Sequence, residues 1–105
     1  MKEIDERYID ALYEFGFGMF RTKAGVKLYH STSTGTFMVY FSGEDLVDML
    51  VSYAETFDPN SYVSLKVKSH SSTQDISAML ENAQEIQMLL LRLAIKLVKI
   101  SKEVE

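Results

Sequence analysis

Two histidines are the residues whose type and position most suggest catalysis. Each ends a segment of strand-like alternation and precedes hydroxyl residues, His30 before Ser-Thr-Ser-Thr and His70 before Ser-Ser-Thr. A histidine beside a hydroxyl can act as the general base that activates it. Such catalysis also needs a third group to orient the base and an oxyanion hole, and neither has a sequence pattern here. Hydroxyl residues at such positions usually form turns and helix caps, so we expect no catalytic residue and no enzyme.

Two further patterns could suggest a cofactor or a metal. The segment Phe15-Gly-Phe-Gly18 lacks the third glycine of a dinucleotide-binding loop and does not lead from a strand into a helix. Glu44, Asp45 and Asp48 lack the ligand spacing of a calcium loop and suit the positive end of a helix. The absence of cysteine excludes thiolate zinc sites, iron–sulfur clusters and cysteine nucleophiles. We expect no cofactor and no metal.

The composition is that of a globular protein. The 105 residues are 47% apolar and 25% charged, with a net charge of −4, which predicts one domain over residues 1–105. The first ten residues hold four acids and no apolar core of a signal peptide. No apolar run approaches the ~20 residues that span a bilayer. We therefore expect a cytoplasmic protein with no membrane contact.

The spacing of apolar residues predicts an α+β fold. Spacings of three and four predict helices over about 3–15, 43–57 and 72–103. Alternation predicts strands over about 18–22, 26–30, 36–41 and 62–69. The order is then α-β-β(-β)-α-β-α, a small antiparallel sheet of three to four strands packed against helices, with a long C-terminal helix. The last strand is predicted from the alternation of Val63, Leu65 and Val67, which would point inward. It follows the turn-like sequence Asp-Pro-Asn-Ser at 58–61.

The C-terminal helix carries two apolar stripes. One follows a heptad spacing for nearly thirty residues, and its candidate dimer-interface residues are Met79, Ile86, Leu90, Leu93, Leu97 and Ile100. The second stripe is Leu80, Met88, Leu91, Ile95 and Val98. Because one small sheet cannot cover so wide an apolar arc, we expect a homodimer whose C-terminal helices pair across a two-fold axis. The alternative is a monomer in which this helix is simply the best-buried element, and which stripe would face a second copy stays open.

Charge is segregated along the chain. Residues 15–43 and 59–74 hold basic residues and no acid, whereas the first two predicted helices are acidic. The predicted outer face of the sheet therefore offers a weak candidate ligand-binding surface of Lys27, Tyr29, Tyr40, Lys66 and Lys68. Such a face could take a phosphate-bearing ligand, an acidic peptide or single-stranded nucleic acid, or could simply keep the sheet soluble. With so few bases and a negative net charge, nucleic acid is not the expected partner.

The expected function is a small non-enzymatic homodimer that acts by protein–protein interaction, in the manner of an adaptor or chaperone. The comparison with adaptors and chaperones is only an analogy of fold. The expected partner is a second copy and, beyond it, another protein. The alternative function is a ligand- or nucleic-acid-binding domain that uses the basic, tyrosine-bearing sheet face.

Overall fold

The computed structural model describes residues 4–32, 35–42, 45–69 and 76–104. It confirms the α+β class and the long C-terminal helix, with the element order α-β-β-β-α-α-α. The elements are α1 (Glu6–Glu14), β1 (Gly18–Arg21), β2 (Val26–Thr32), β3 (Gly35–Phe41), α2 (Leu46–Thr56), α3 (Pro59–Ser69) and α4 (Ile76–Val104).

The sheet is an antiparallel meander of three strands in the order β1-β2-β3. Since side chains alternate along a strand, Leu28 on β2 and Phe37 on β3 point to the inner face, where both are buried. Met38 and Tyr40 point to the outer face and are exposed. This division of β2 and β3 into an apolar inner face and a wet outer face is the one the alternation predicts.

The prediction of a strand over 62–69 is wrong, because these residues form helix α3. Asp58 caps the helix, since its carboxylate accepts hydrogen bonds from the Asn60 N–H at 3.0 Å and the Ser61 hydroxyl at 2.9 Å. Pro59 stands at the first helical position, where its fixed φ and missing N–H suit a helix start. The Asp-Pro-Asn-Ser sequence therefore begins a helix instead of closing a turn, and Leu65 and Val67 are exposed.

The core lies between the inner face of the sheet and the helices. Rings of Phe37, Tyr53, Phe57 and Tyr62 contact one another with centroids 5.6–6.3 Å apart, which joins β3 to α2 and α3. Burial raises the pKa of both tyrosine hydroxyls above the ordinary value. Helix α4 is 29 residues long, or about 43 Å at 1.5 Å per residue, and accounts for the longest dimension of the molecule, 47 Å.

Candidate interaction surfaces

The six side chains predicted to form a dimer interface lie inside the chain's own core. Helix α4 packs against α1, α2 and α3, and Leu90, Leu93 and Leu97 have no exposed surface. A second copy could reach this line of residues only if the fold opened. We call it the inner seam of α4; its members are Met79, Ile86, Leu90, Leu93, Leu97 and Ile100, all buried.

The opposite side of α4 presents an apolar line to solvent. Met88, Leu91 and Ile95 are 51%, 38% and 58% exposed. Spacings of three and four residues place them on one side of the helix, and Met88 lies about 180° around the helix from the centre of the inner seam. We call these three residues the outer stripe. The sequence contained this signal, but it could not show which of the two apolar arcs is covered.

Charged residues flank the outer stripe in a definite order. Glu81 and Glu85 lie exposed before it, in the N-terminal half of α4. The exposed bases Arg92, Lys96, Lys99 and Lys102 lie within and beyond it, and the exposed Glu103 follows them. The side chains of Glu81, Glu85 and Arg92 lie beside Met88 on one open surface of α4. This side of the helix is therefore acidic at one end, apolar in the middle and predominantly basic at the other end.

The structure assembles only part of the predicted ligand-binding face. Lys27, Tyr29 and Tyr40 share the outer face of the sheet, whereas Lys66 and Lys68 lie on α3. The Lys66 Nζ sits 5.5 Å from the centre of the Tyr62 ring and, among the described residues, has no hydrogen-bond partner. Lys68 lines a groove of about 380 Å³ between α3 and α4. Both lysines were assigned to the sheet because residues 62–69 were predicted to form a strand. They lie on helix α3 instead.

Two exposed apolar residues complete the outer face of the sheet. The register places Phe20, Lys27 and Tyr40 in one row across the three strands, and Tyr29 beside Met38 in the next. Phe20, Met38 and Tyr40 are 49–60% exposed. We call Phe20, Lys27, Tyr29, Met38 and Tyr40 the sheet platform. Phe20 was missed because the short strand β1 has no clear alternation of its own.

Local contacts hold the rings of the sheet platform in place. A Cβ added to Gly18 would lie 2.1 Å from the Tyr29 ring, so this glycine lets the ring lie against the backbone of β1. The Tyr29 and Phe20 ring centroids are 5.4 Å apart with the planes tilted by 30°. The Tyr40 and Thr22 hydroxyls are hydrogen bonded at 3.3 Å. The platform is thus formed before any partner arrives.

The surroundings of His30 indicate a structural role. Its Nδ1 donates a hydrogen bond to the Ser31 carbonyl oxygen at 2.8 Å, and its ring meets Phe17 edge to face at 5.0 Å. Gly16, at φ +83°, lies so close that an added Cβ would be 3.0 Å from Nε2. Both sides of the ring are therefore occupied by packing and backbone. His70, the other histidine, lies outside the described residues.

Comparisons with known proteins supply no relative. No protein-family model matches this chain, and neither a curated protein nor a solved structure matches it. Among the described residues, His, Asp and Glu side chains form no group of three that could hold a metal ion. In the same part of the chain, no helix has the length and apolar character needed to cross a membrane.

Proposed function

We propose that this chain is a non-enzymatic protein-interaction module that forms a homodimer through the outer stripe of α4. The observation that carries the proposal is the exposure of Met88, Leu91 and Ile95 along one line of a long helix. Isolated apolar residues are common on surfaces, but a contiguous apolar patch rimmed by polar residues marks an interaction site. The cytoplasmic location expected from the sequence remains part of the proposal.

The charge order of α4 supports a second copy as the partner and favours one direction of pairing. In an antiparallel pair centred near Leu91, Met88 of one copy faces Ile95 of the other. The acidic residues Glu81 and Glu85 then face Lys102 and Lys99 of the second copy, at both ends of the interface. A parallel pair would instead bring like charges together, which is unfavourable. The antiparallel arrangement therefore opposes mostly unlike charges, with Glu103 near Glu81 of the second copy as the exception.

We expect the dimer to be weak. Burying a full leucine or methionine side chain contributes about 1.5–3 kcal/mol, and the three residues of the outer stripe are already partly covered. Ion pairs at a surface add at most about 1 kcal/mol each. The apolar contact supplies most of the affinity, while the charges select the orientation.

Sedimentation velocity tests the dimer. At roughly 10–100 μM, where small interfaces become populated, we expect the sedimentation coefficient of the unmodified chain to rise with concentration. Ile95→Glu should abolish that rise, because it places a carboxylate in the middle of the stripe. Met38→Glu introduces the same charge at an exposed apolar residue of the sheet and should leave the dimer intact. A monomer throughout this range would contradict the proposal.

Cysteine cross-linking tests the orientation, and the absence of native cysteine makes it specific. Leu91→Cys lies near the two-fold axis of the antiparallel pair and should form a disulfide-linked dimer on oxidation. Glu81→Cys should not, because two such residues would be about 30 Å apart along the axis. In a parallel pair both variants would cross-link, so cross-linking of Glu81→Cys would contradict the antiparallel arrangement.

A further inference from the structure

The sheet platform combines a cation with apolar surface. Lys27 lies between Phe20 and Tyr40 in one row across the strands, and neighbouring strands are only about 4.8 Å apart. An anionic group that meets the lysine ammonium therefore brings its neighbours onto apolar side chains. Phe20, Met38 and Tyr40 are each about half-exposed. The long, unbranched Met38 side chain can adapt to different apolar shapes.

The surroundings of the platform favour an acidic partner. Arg21 and Lys23 lie at the turn that joins β1 and β2, and residues 15–43 contain no acid. The negative charge lies on the helices, for example on Glu6 and Glu14 of α1 and Asp48 of α2. Nearby charges of one sign attract an oppositely charged partner and orient it as it approaches. The net charge of −4 conceals this basic surface.

We propose that the sheet platform binds an acidic, amphipathic peptide segment, whose carboxylates meet Lys27 and whose apolar side chains pack on Phe20, Met38 and Tyr40. This extends the proposed interaction function to a second surface and does not require the dimer. Single-stranded nucleic acid also stacks on aromatic rings, but its backbone needs a track of cations. With Lys66 and Lys68 on α3, the platform itself holds only Lys27. A peptide with apolar side chains uses the remaining surface better.

Fluorescence anisotropy with two labelled peptides tests this proposal. The probe Glu-Phe-Glu-Leu-Glu-Phe should bind, and Lys-Phe-Lys-Leu-Lys-Phe, with the same apolar residues, should not. Lys27→Glu should weaken binding of the acidic probe by about tenfold or more, because it replaces an attraction with a repulsion. Phe20→Ser should weaken it by removing apolar contact. Both side chains are exposed, and thermal melts by circular dichroism show whether the variants stay folded.

Lys68→Glu is the matched control, because it makes the same change of charge at an exposed residue of α3. It should change the affinity for the acidic probe by less than about twofold. An equal loss in Lys27→Glu and Lys68→Glu would overturn the proposal, as would failure of the acidic probe to bind or tighter binding of an oligothymidine. Ile95→Glu should bind the probe as the unmodified chain does, so this proposal and the dimer can fail separately.

Discussion

The two faces of α4 have similar side chains and opposite surroundings. Leu90 and Leu91 are consecutive and identical in type, yet Leu90 has no exposed surface and Leu91 is 38% exposed. The inner seam meets the other helices and the core beneath the sheet, whereas the outer stripe meets solvent. Apolar periodicity therefore reports how wide the apolar arc of a helix is. Which part of that arc is covered depends on where the rest of the chain packs.

The largest expected effect comes from truncating these two leucines separately. Leu90→Ala should lower the free energy of unfolding by about 2–5 kcal/mol, because it removes buried contacts and leaves a cavity. Leu91→Ala should cost less than about 1 kcal/mol, as is usual at a surface. Urea denaturation at a protein concentration below that of dimer formation measures both, since a dimer would add its own stability. Equal losses would show that the two faces are not distinct.

Replacing alanines by larger residues also tests the difference between the buried and the exposed face of α4. Ala83 is fully buried against Val63 and Met79, where α3 packs on α4. Ala83→Met should cost about 1–3 kcal/mol, because the extra atoms must displace close-packed neighbours. Ala78 is exposed, so Ala78→Met should change stability by no more than about 0.5 kcal/mol. Guanidinium denaturation measures the free energy of unfolding of both variants. If Ala83→Met lowers it no more than Ala78→Met does, the junction between α3 and α4 is loosely packed.

A smaller effect should distinguish inner from outer tyrosines at alkaline pH. Burial raises the pKa of Tyr53 and Tyr62 in the folded state above the ordinary 10.0, so the folded chain retains protons that the unfolded chain releases. Their contribution to stability is present below pH 10 and is lost as the pH rises through the folded pKa values. The unfolding free energy, measured from about pH 8 to 11, should therefore decline.

The matched variants isolate the tyrosine contribution from that of the lysines. Tyr53→Phe combined with Tyr62→Phe should make the alkaline decline shallower. Tyr13→Phe removes an exposed hydroxyl and should leave the slope unchanged. If the double variant shows the same slope as the unmodified chain, the two inner tyrosines do not contribute to it.

The sheet and the long helix were predictable because their patterns are unambiguous. In β3, side chains alternate between buried Phe37 and exposed Met38, as the period of a strand requires. Residues 62–69 alternate just as clearly, yet they form a helix in which Val63 is buried while Leu65 and Val67 are exposed, so alternation alone does not decide between strand and helix. The decisive signal was Asp58 followed by Pro59, which is typical of an N-cap and first helical position.

The candidate surfaces were less predictable because they depend on packing between distant elements. Met88, Leu91 and Ile95 are recognisable as an apolar stripe, but so is the inner seam, and the sequence does not show which one α1, α2 and α3 cover. Phe20 joins the sheet platform only through the register that places it beside Lys27. Lys66 was predicted to join that face and does not, because its position on helix α3 places it beside Tyr62.

The position of α4 in the chain also has a consequence for synthesis on the ribosome. Each pair of neighbouring strands is also consecutive in sequence, so the meander can form from local contacts while the chain is still being made. Its inner face, with Val26, Leu28 and Phe37, belongs to the core that α4 completes. Since α4 follows every other described element, a nascent chain carries an incompletely covered apolar sheet until α4 has left the exit tunnel. The interval before α4 emerges is therefore the one in which this chain most needs protection from aggregation.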